Sequence, residues 1–129
     1  MKKKKYFIYA RSEVKPKKGE YSNTNTQIQR LKGFAEHFEM EVVDVFKDYG
    51  SGLSAKRPGL MRMLKRLRKR EAQGILCTNW YRLTRDFVMF VRLKVLLEQY
   101  NIELILLDEE DEDLEGFTYA LYMKKNVED

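Results

Sequence analysis

Tyr6-Phe7-Ile8-Tyr9-Ala10-Arg11-Ser12, residues 6–12, is the stretch whose reading decides the fold. Its first five residues are apolar or aromatic and too few for a helix, so they read as a buried strand. A guanidinium and a hydroxyl stand at its end. The same grammar recurs downstream. Glu41-Val42-Val43-Asp44-Val45-Phe46 reads as a second strand and runs into the turn Asp48-Tyr49-Gly50-Ser51-Gly52. Ile75 to Thr78 reads as a third, with Arg82 and Arg85 in the turn after it, and Ile102 to Leu107 as a fourth, followed by Asp108.

Helical patterns separate these runs. Ser22 or Asn23 can cap a helix reaching about Met40, with Ile28, Leu31, Phe34, Ala35 and Phe38 on one face. Pro58 or Gly59 opens another, which buries Leu60, Met63, Leu64 and Leu67 and is expected to stop at Gly74. A third pattern covers about Asp86 to Tyr100. A last one begins near Leu114 or Gly116, carries Phe117 to Met123 and runs to the end. The alternation βαβαβαβα predicts an α/β domain with a mainly parallel sheet of four to five strands, flanked by helices. Parallel neighbours end on one edge, where open α/β sheets bind ligands.

Composition narrows the function classes. The 129 residues suit one domain, 1–129, with Cys77 as the only cysteine, so no disulfide framework or CxxC metal pattern exists. Cys77 sits in an apolar run and reads as a buried small residue, and a reducing, cytoplasmic setting is expected. No apolar run approaches the ~20 residues of a spanning helix, so no membrane partner is expected. The net charge of +5 permits nucleic-acid binding, and its distribution says more. Residues 56–70 hold eight cations and no acid, whereas residues 108–115 hold seven acids and no base. Arg62, Arg66 and Lys69 on the basic helix are candidate DNA-backbone contacts, against the plainer reading of a solvated face. The acidic run reads as a solvated loop turned away from a duplex.

The chemistry lies in the strand ends. Arg11, Arg82 and Arg85, with Ser12 and Ser51 beside them, form the donor set an anionic phosphodiester requires, because each guanidinium can hold two oxyanion oxygens. Arg82 and Arg85 are three apart and would share a face in a helical turn. Without a metal, arginines neutralise the charge that develops in phosphoryl transfer. A metal-dependent nuclease built on Asp48, Asp86 and Asp108 is the competing enzyme reading, with Mg²⁺ as its cofactor.

Five stretches in order carry a family likeness. Tyr9-Ala10-Arg11-Ser12, Gln27 with Leu31 and Ala35, Val45 to Gly52, Lys56-Arg57-Pro58-Gly59-Leu60 and Arg82-Leu83-Thr84-Arg85-Asp86 resemble the motifs of the serine site-specific recombinases, the resolvase, invertase and large integrase group. The resemblance implies a resolvase-like catalytic domain that breaks and rejoins DNA through a 5′-phosphoserine link, without metal, cofactor or small-molecule substrate. It implies that Arg11, Arg82 and Arg85 bind the scissile phosphate, that Gln27 and Ser51 support them, and that Ser12 is the candidate nucleophile. It also implies a homodimer, a tetramer in synapsis, and a carboxyl-terminal DNA-reading module that is absent from these 129 residues. Two positions depart from the pattern. Glu13 occupies the family's usual nucleophile position, one residue after Ser12, and Tyr81 replaces the usual Asp before Arg82. Either Ser12 takes over the attack, or the chain is a non-catalytic relative with a regulatory or DNA-associated role.

Overall fold

The computed structural model describes residues 2–50 and 57–108. Ser51, Lys56, the expected last helix and residues 109–115 of the acidic run lie outside the described residues. Strands β1 (Lys5–Ser12), β2 (Glu41–Tyr49), β3 (Gly74–Cys77) and β4 (Glu103–Leu106) form one parallel sheet in the order β2-β1-β3-β4. Helices α1 (Asn23–His37), α2 (Pro58–Arg68), α3 (Trp80–Leu83) and α4 (Phe87–Gln99) connect them. The chain moves outward from β1 to β2, then crosses back over β1 to β3. The direction of winding therefore reverses between β1 and β3, and the crevice past their ends is the expected ligand position in such a sheet.

Strand alternation sorts the core into two layers. Phe7, Tyr9, Ile75 and Cys77 pack with Met63 and Leu67 of α2, Leu83 of α3, and Phe90 and Leu97 of α4. Tyr6, Ile8, Ala10, Leu76 and Ile105 pack with Ile28, Leu31 and Ala35 of α1. Among the described residues, one helix thus covers one face and three cover the other. No helix among the described residues is long and apolar enough to cross a membrane.

Local chemistry fixes the helix starts. Ser22 accepts from the Asn25 N–H at α1, and Asp86 accepts from Val88 and Met89 at α4. Asp48, from the end of β2, caps α2 at long range: its carboxylate takes the Gly59 N–H at 2.7 Å and the Leu60 N–H at 2.8 Å. Gly59 is there because there is no room for a side chain. A Cβ would lie 2.4 Å from the Lys47 carbonyl oxygen and 2.9 Å from the Asp48 carboxylate. Gly59→Ala is therefore expected to destabilise the domain by about 2–3 kcal/mol, visible as a lower urea midpoint; an unchanged midpoint would mean that α2 docks more loosely than this.

Two sequence expectations are corrected. The turn after β3 contains a real helix, α3, but it ends at Leu83, and Thr84 is extended. Arg82 and Arg85 therefore do not share a helical face. Gly74 does not stop α2, which ends at Arg68; Arg70 takes the left-handed conformation (φ 63°) and Gly74 opens β3, where a Cβ would strike the Tyr6 ring. Cys77 is fully buried as expected. Burial pushes its thiol up to about 12, so it should resist Ellman's reagent at pH 8 in the native protein and react at once in 6 M guanidinium.

Candidate phosphoryl site

The ends of β1, β2 and β3 meet as the sequence implied, with Arg11 in register with Asp48 and Ser12 with Tyr49. Arg11 and Arg82 interlock. Arg11 Nε donates to the Arg82 carbonyl at 3.0 Å, and Arg82 Nη1 donates to the Arg11 carbonyl at 3.0 Å. The other two Arg11 nitrogens donate to the carbonyls of Gly50, at 2.7 Å, and Tyr81. Arg11 is 1% exposed. Burial, and then the charge of Arg57, lower its pKa. Its fork is thus spent on three backbone carbonyls, which corrects the expectation of an open phosphate-gripping group. Arg11 ties the turn after β2 to α3.

Gln27 holds the same strand end from the opposite side. Its Oε1 accepts from the Arg11 N–H at 3.3 Å and its Nε2 donates to the Arg11 carbonyl at 2.9 Å, extending the sheet pairing by one side-chain amide. Asn23 Oδ1 takes the other Nε2 proton. Gln27 thus braces the end of β1 from α1.

Ser12 is 7% exposed, and its Oγ donates to the Val14 carbonyl at 3.2 Å. Glu13 turns outward and pairs with Arg85 Nη1, both side chains about half exposed. The three arginines thus share a sheet edge but not a common open point. Arg11 is enclosed, Arg82 reaches across the sheet end, and Arg85 is held by Glu13.

Sequence reasoning missed a fourth guanidinium. Arg57 is 6% exposed, and its Nη2 donates to Tyr9 Oη at 2.6 Å and to the Arg82 carbonyl at 2.9 Å. Tyr9 Oη in turn donates to Asp48 at 2.7 Å, and burial raises the phenol's pKa. Tyr9, Asp48 and Arg57 thus weld the start of α2 to the site edge. The available signal was Arg57 directly before Pro58, a buried helix-start position inside what reads as a solvated basic run.

The carboxylates of the nuclease reading have separate employment. Asp48 caps α2, Asp86 caps α4, and Asp108 takes both terminal nitrogens of Arg30. No cluster of three metal-binding side chains exists among the described residues. Asp108 is accordingly not a free, solvated start to the acidic run. Arg66 also departs from the basic-face expectation: it binds Asp44 and Glu71 and lies 5.0 Å from the Phe7 ring centroid. Arg62 and Lys69 flank a groove beside it with Lys65.

A cleft of about 650 Å³ opens at the switch between β1 and β3, on the α1 face. Asn23, Thr26, Gln27 and Arg30 of α1 form one wall, Thr78, Asn79, Tyr81 and Arg82 the other. Among the described residues, no aliphatic side chain lines it.

Residues 6–124 match the family model described as Resolvase, N terminal domain. No curated protein matches the chain in sequence. Solved structures do. The C-terminal catalytic domain of ISC1926 TnpA, an IS607-like serine recombinase, is 25% identical with a TM-score of 0.74, covering 92% of this chain and 80% of that one. The N-terminal catalytic domain of TP901-1 integrase is 25% identical with a TM-score of 0.71, covering 95% and 96%. A resolvase family site-specific recombinase from Streptococcus pneumoniae, at 21% identity and TM-score 0.70 over 98% and 90%, shares the fold.

Proposed function

Since the chain belongs to the Resolvase, N terminal domain family, we propose that it is a serine recombinase catalytic domain acting on DNA through a phosphoserine intermediate. Ser12 Oγ attacks the scissile phosphorus, the bond from phosphorus to the 3′ oxygen breaks, and that oxygen leaves with a proton as a free 3′-hydroxyl. The 5′ phosphate stays esterified to Ser12, so bond energy is conserved and the reverse attack rejoins DNA without ATP. Arg82 and Arg85 stabilise the phosphoryl oxygens. Arg11, Gln27 and Arg57 hold the strand ends that carry them, and Ser51 remains a supporting residue of this proposal. Pairing of subunits and synapsis on DNA belong to the same reading, with Arg62 and Lys69 as backbone contacts outside the site.

The observation that carries this reading is the interlock of Arg11 and Arg82 beside Ser12, at the switch point of a resolvase-family sheet. The test is a covalent adduct: a pool of nicked duplexes, randomised across the central base pairs and labelled on the fragment that carries the 5′ phosphate after the break, incubated with the chain in EDTA. A protein–DNA band that survives denaturant and disappears on protease treatment is the expected product. A requirement for Mg²⁺ would return the nuclease reading.

One observation favours a second reading, a non-catalytic module of the same fold. Ser12 Oγ is turned to Val14, and Glu13 occupies Arg85. Under that reading the chain binds duplex DNA and forms no covalent band.

A further inference from the structure

A groove of about 420 Å³ lies between α2 and β2, an outer strand of the sheet. Asp44, Val45 and Phe46 line it from β2, and Arg62, Lys65, Arg66 and Lys69 line it from α2. Arg66 is held by Asp44 and Glu71. Arg62, Lys65 and Lys69 are exposed and make no ion pair with a described residue. They stand three and four residues apart, so they share one face of the helix, where like charges repel. The strand side is shaped by a bulge. Tyr6 pairs with Val42 but Phe7 pairs with Asp44, so Val43 is the extra residue and Asp44 faces α2. A bulged edge is a poor template for an added strand, so a guest in this groove binds through its side chains.

The chain's own sequence holds the complement. Asp108 to Glu115 is a run of seven acids around Leu114. It offers carboxylates to the three cations and one aliphatic side chain to Val45 and Phe46. A phosphate backbone would satisfy the cations but brings nothing for the apolar lining. The run is badly placed to fill the groove of its own copy. Asp108, the last described residue, is bound to Arg30 of α1, on the face opposite α2. It follows β4, the other outer strand of the sheet. Three strand spacings separate the two edges by about 14 Å, while seven extended residues reach about 24 Å. Rounding the sheet as well leaves too little chain to lie along the groove.

We propose that the groove between α2 and β2 binds the acidic run of a second copy of this chain, with Arg62, Lys65 and Lys69 taking its carboxylates. The contact goes beyond the phosphoryl reading and does not depend on it. Arg62 and Lys69 are also the DNA-backbone contacts of that reading, so the run of a neighbouring copy competes with DNA for them.

The test splits the contact between two versions of the whole chain. One keeps the groove and loses acids, through Glu109→Gln, Glu110→Gln, Asp111→Asn, Glu112→Gln and Asp113→Asn. The other keeps the acids and loses the cations, through Arg62→Gln, Lys65→Gln and Lys69→Gln. The first is ¹⁵N-labelled, and the second is added unlabelled at low salt. Saturable amide shifts are expected at residues 44–46 and 62–69, with affinity falling on the order of tenfold when salt is raised to about 0.3 M. Should the triple substitution lower the melting temperature, a synthetic peptide of residues 108–116 takes the place of the second protein, with the same shifts expected. No shifts, or shifts confined to other elements, would overturn the proposal. A short random-sequence duplex that moves these amides while the acidic run leaves them unmoved overturns it too, and gives the groove to DNA. Failure of the covalent-adduct test would leave this result standing, since neither set of substitutions touches Ser12 or the arginines of the sheet edge.

Discussion

Arg11→Ala should unfold the domain far more readily than any other single change at the site, by about 4 kcal/mol in urea denaturation. Three backbone carbonyls, of Gly50, Tyr81 and Arg82, receive its guanidinium, and hydrogen bonds to charged donors contribute roughly 1.5–3 kcal/mol each, partly recovered when water enters. Total stabilities of domains are only about 5–15 kcal/mol, so the variant should be marginal at 37 °C. Arg11→Lys should recover part of the loss, because an ammonium can reach one or two carbonyls but lacks the planar fork for three. The alternative outcome is informative. An Arg11→Ala protein with wild-type stability but no DNA cleavage would make Arg11 a phosphate ligand after all and sink the bracing role.

That result bears on how site and scaffold are related. The guanidinium that looked most like a phosphate ligand holds the loops in place, while Arg82 and Arg85 keep the shorter route to solvent. The carbonyl that Arg82 offers to Arg11 and Arg57 means that a change at either buried arginine displaces Arg82. Loss of activity in such variants would therefore not identify a catalytic group unless stability were measured alongside it.

Much of this was legible in the sequence. Four apolar runs with helical patterns between them are enough to specify a parallel sheet, and a polar residue directly after such a run lands on the common edge whatever the crossovers do. Arg11, Asp48 and Arg82 were found in that way, and Gln27 only through the family motifs. The remainder depends on contacts between distant positions. Arg30 and Asp108 are 78 residues apart and become a bidentate pair only once β4 lies beside β3. Arg57 looked like one cation among eight until Tyr9 and Asp48 enclosed it. Four-residue α3 is too short to show a period, and α2 stops with Arg70 rather than glycine in the left-handed conformation, so no local signal marked its end. Direction was the other hidden quantity. Position alone could not tell that Arg11 points in among carbonyls, or that Glu13 points out to Arg85.

Glu13 and Ser12 supply the largest expected effect on chemistry. Ser12→Ala should reduce the covalent DNA adduct by on the order of 10³-fold or more, as removal of a nucleophile does. Its fold should survive, because Ser12 makes a single hydrogen bond, to Val14, whose loss costs about 1 kcal/mol. Glu13→Gln is the companion. The Glu13–Arg85 pair is half exposed, so breaking it should leave stability within about 0.5 kcal/mol. Freed of the carboxylate, Arg85 and the site edge gain one net positive charge, and duplex affinity should rise severalfold at low salt and lose that gain as salt screens it. The two variants together separate the readings of this chain. Adduct in the wild type that vanishes in Ser12→Ala establishes Ser12 as the attacking group. Adduct that persists in Ser12→Ala moves the nucleophile elsewhere. Adduct that appears only in Glu13→Gln makes Glu13 a block on a competent Ser12, whereas tighter binding with no adduct in either protein leaves a DNA-binding module that has given up cleavage.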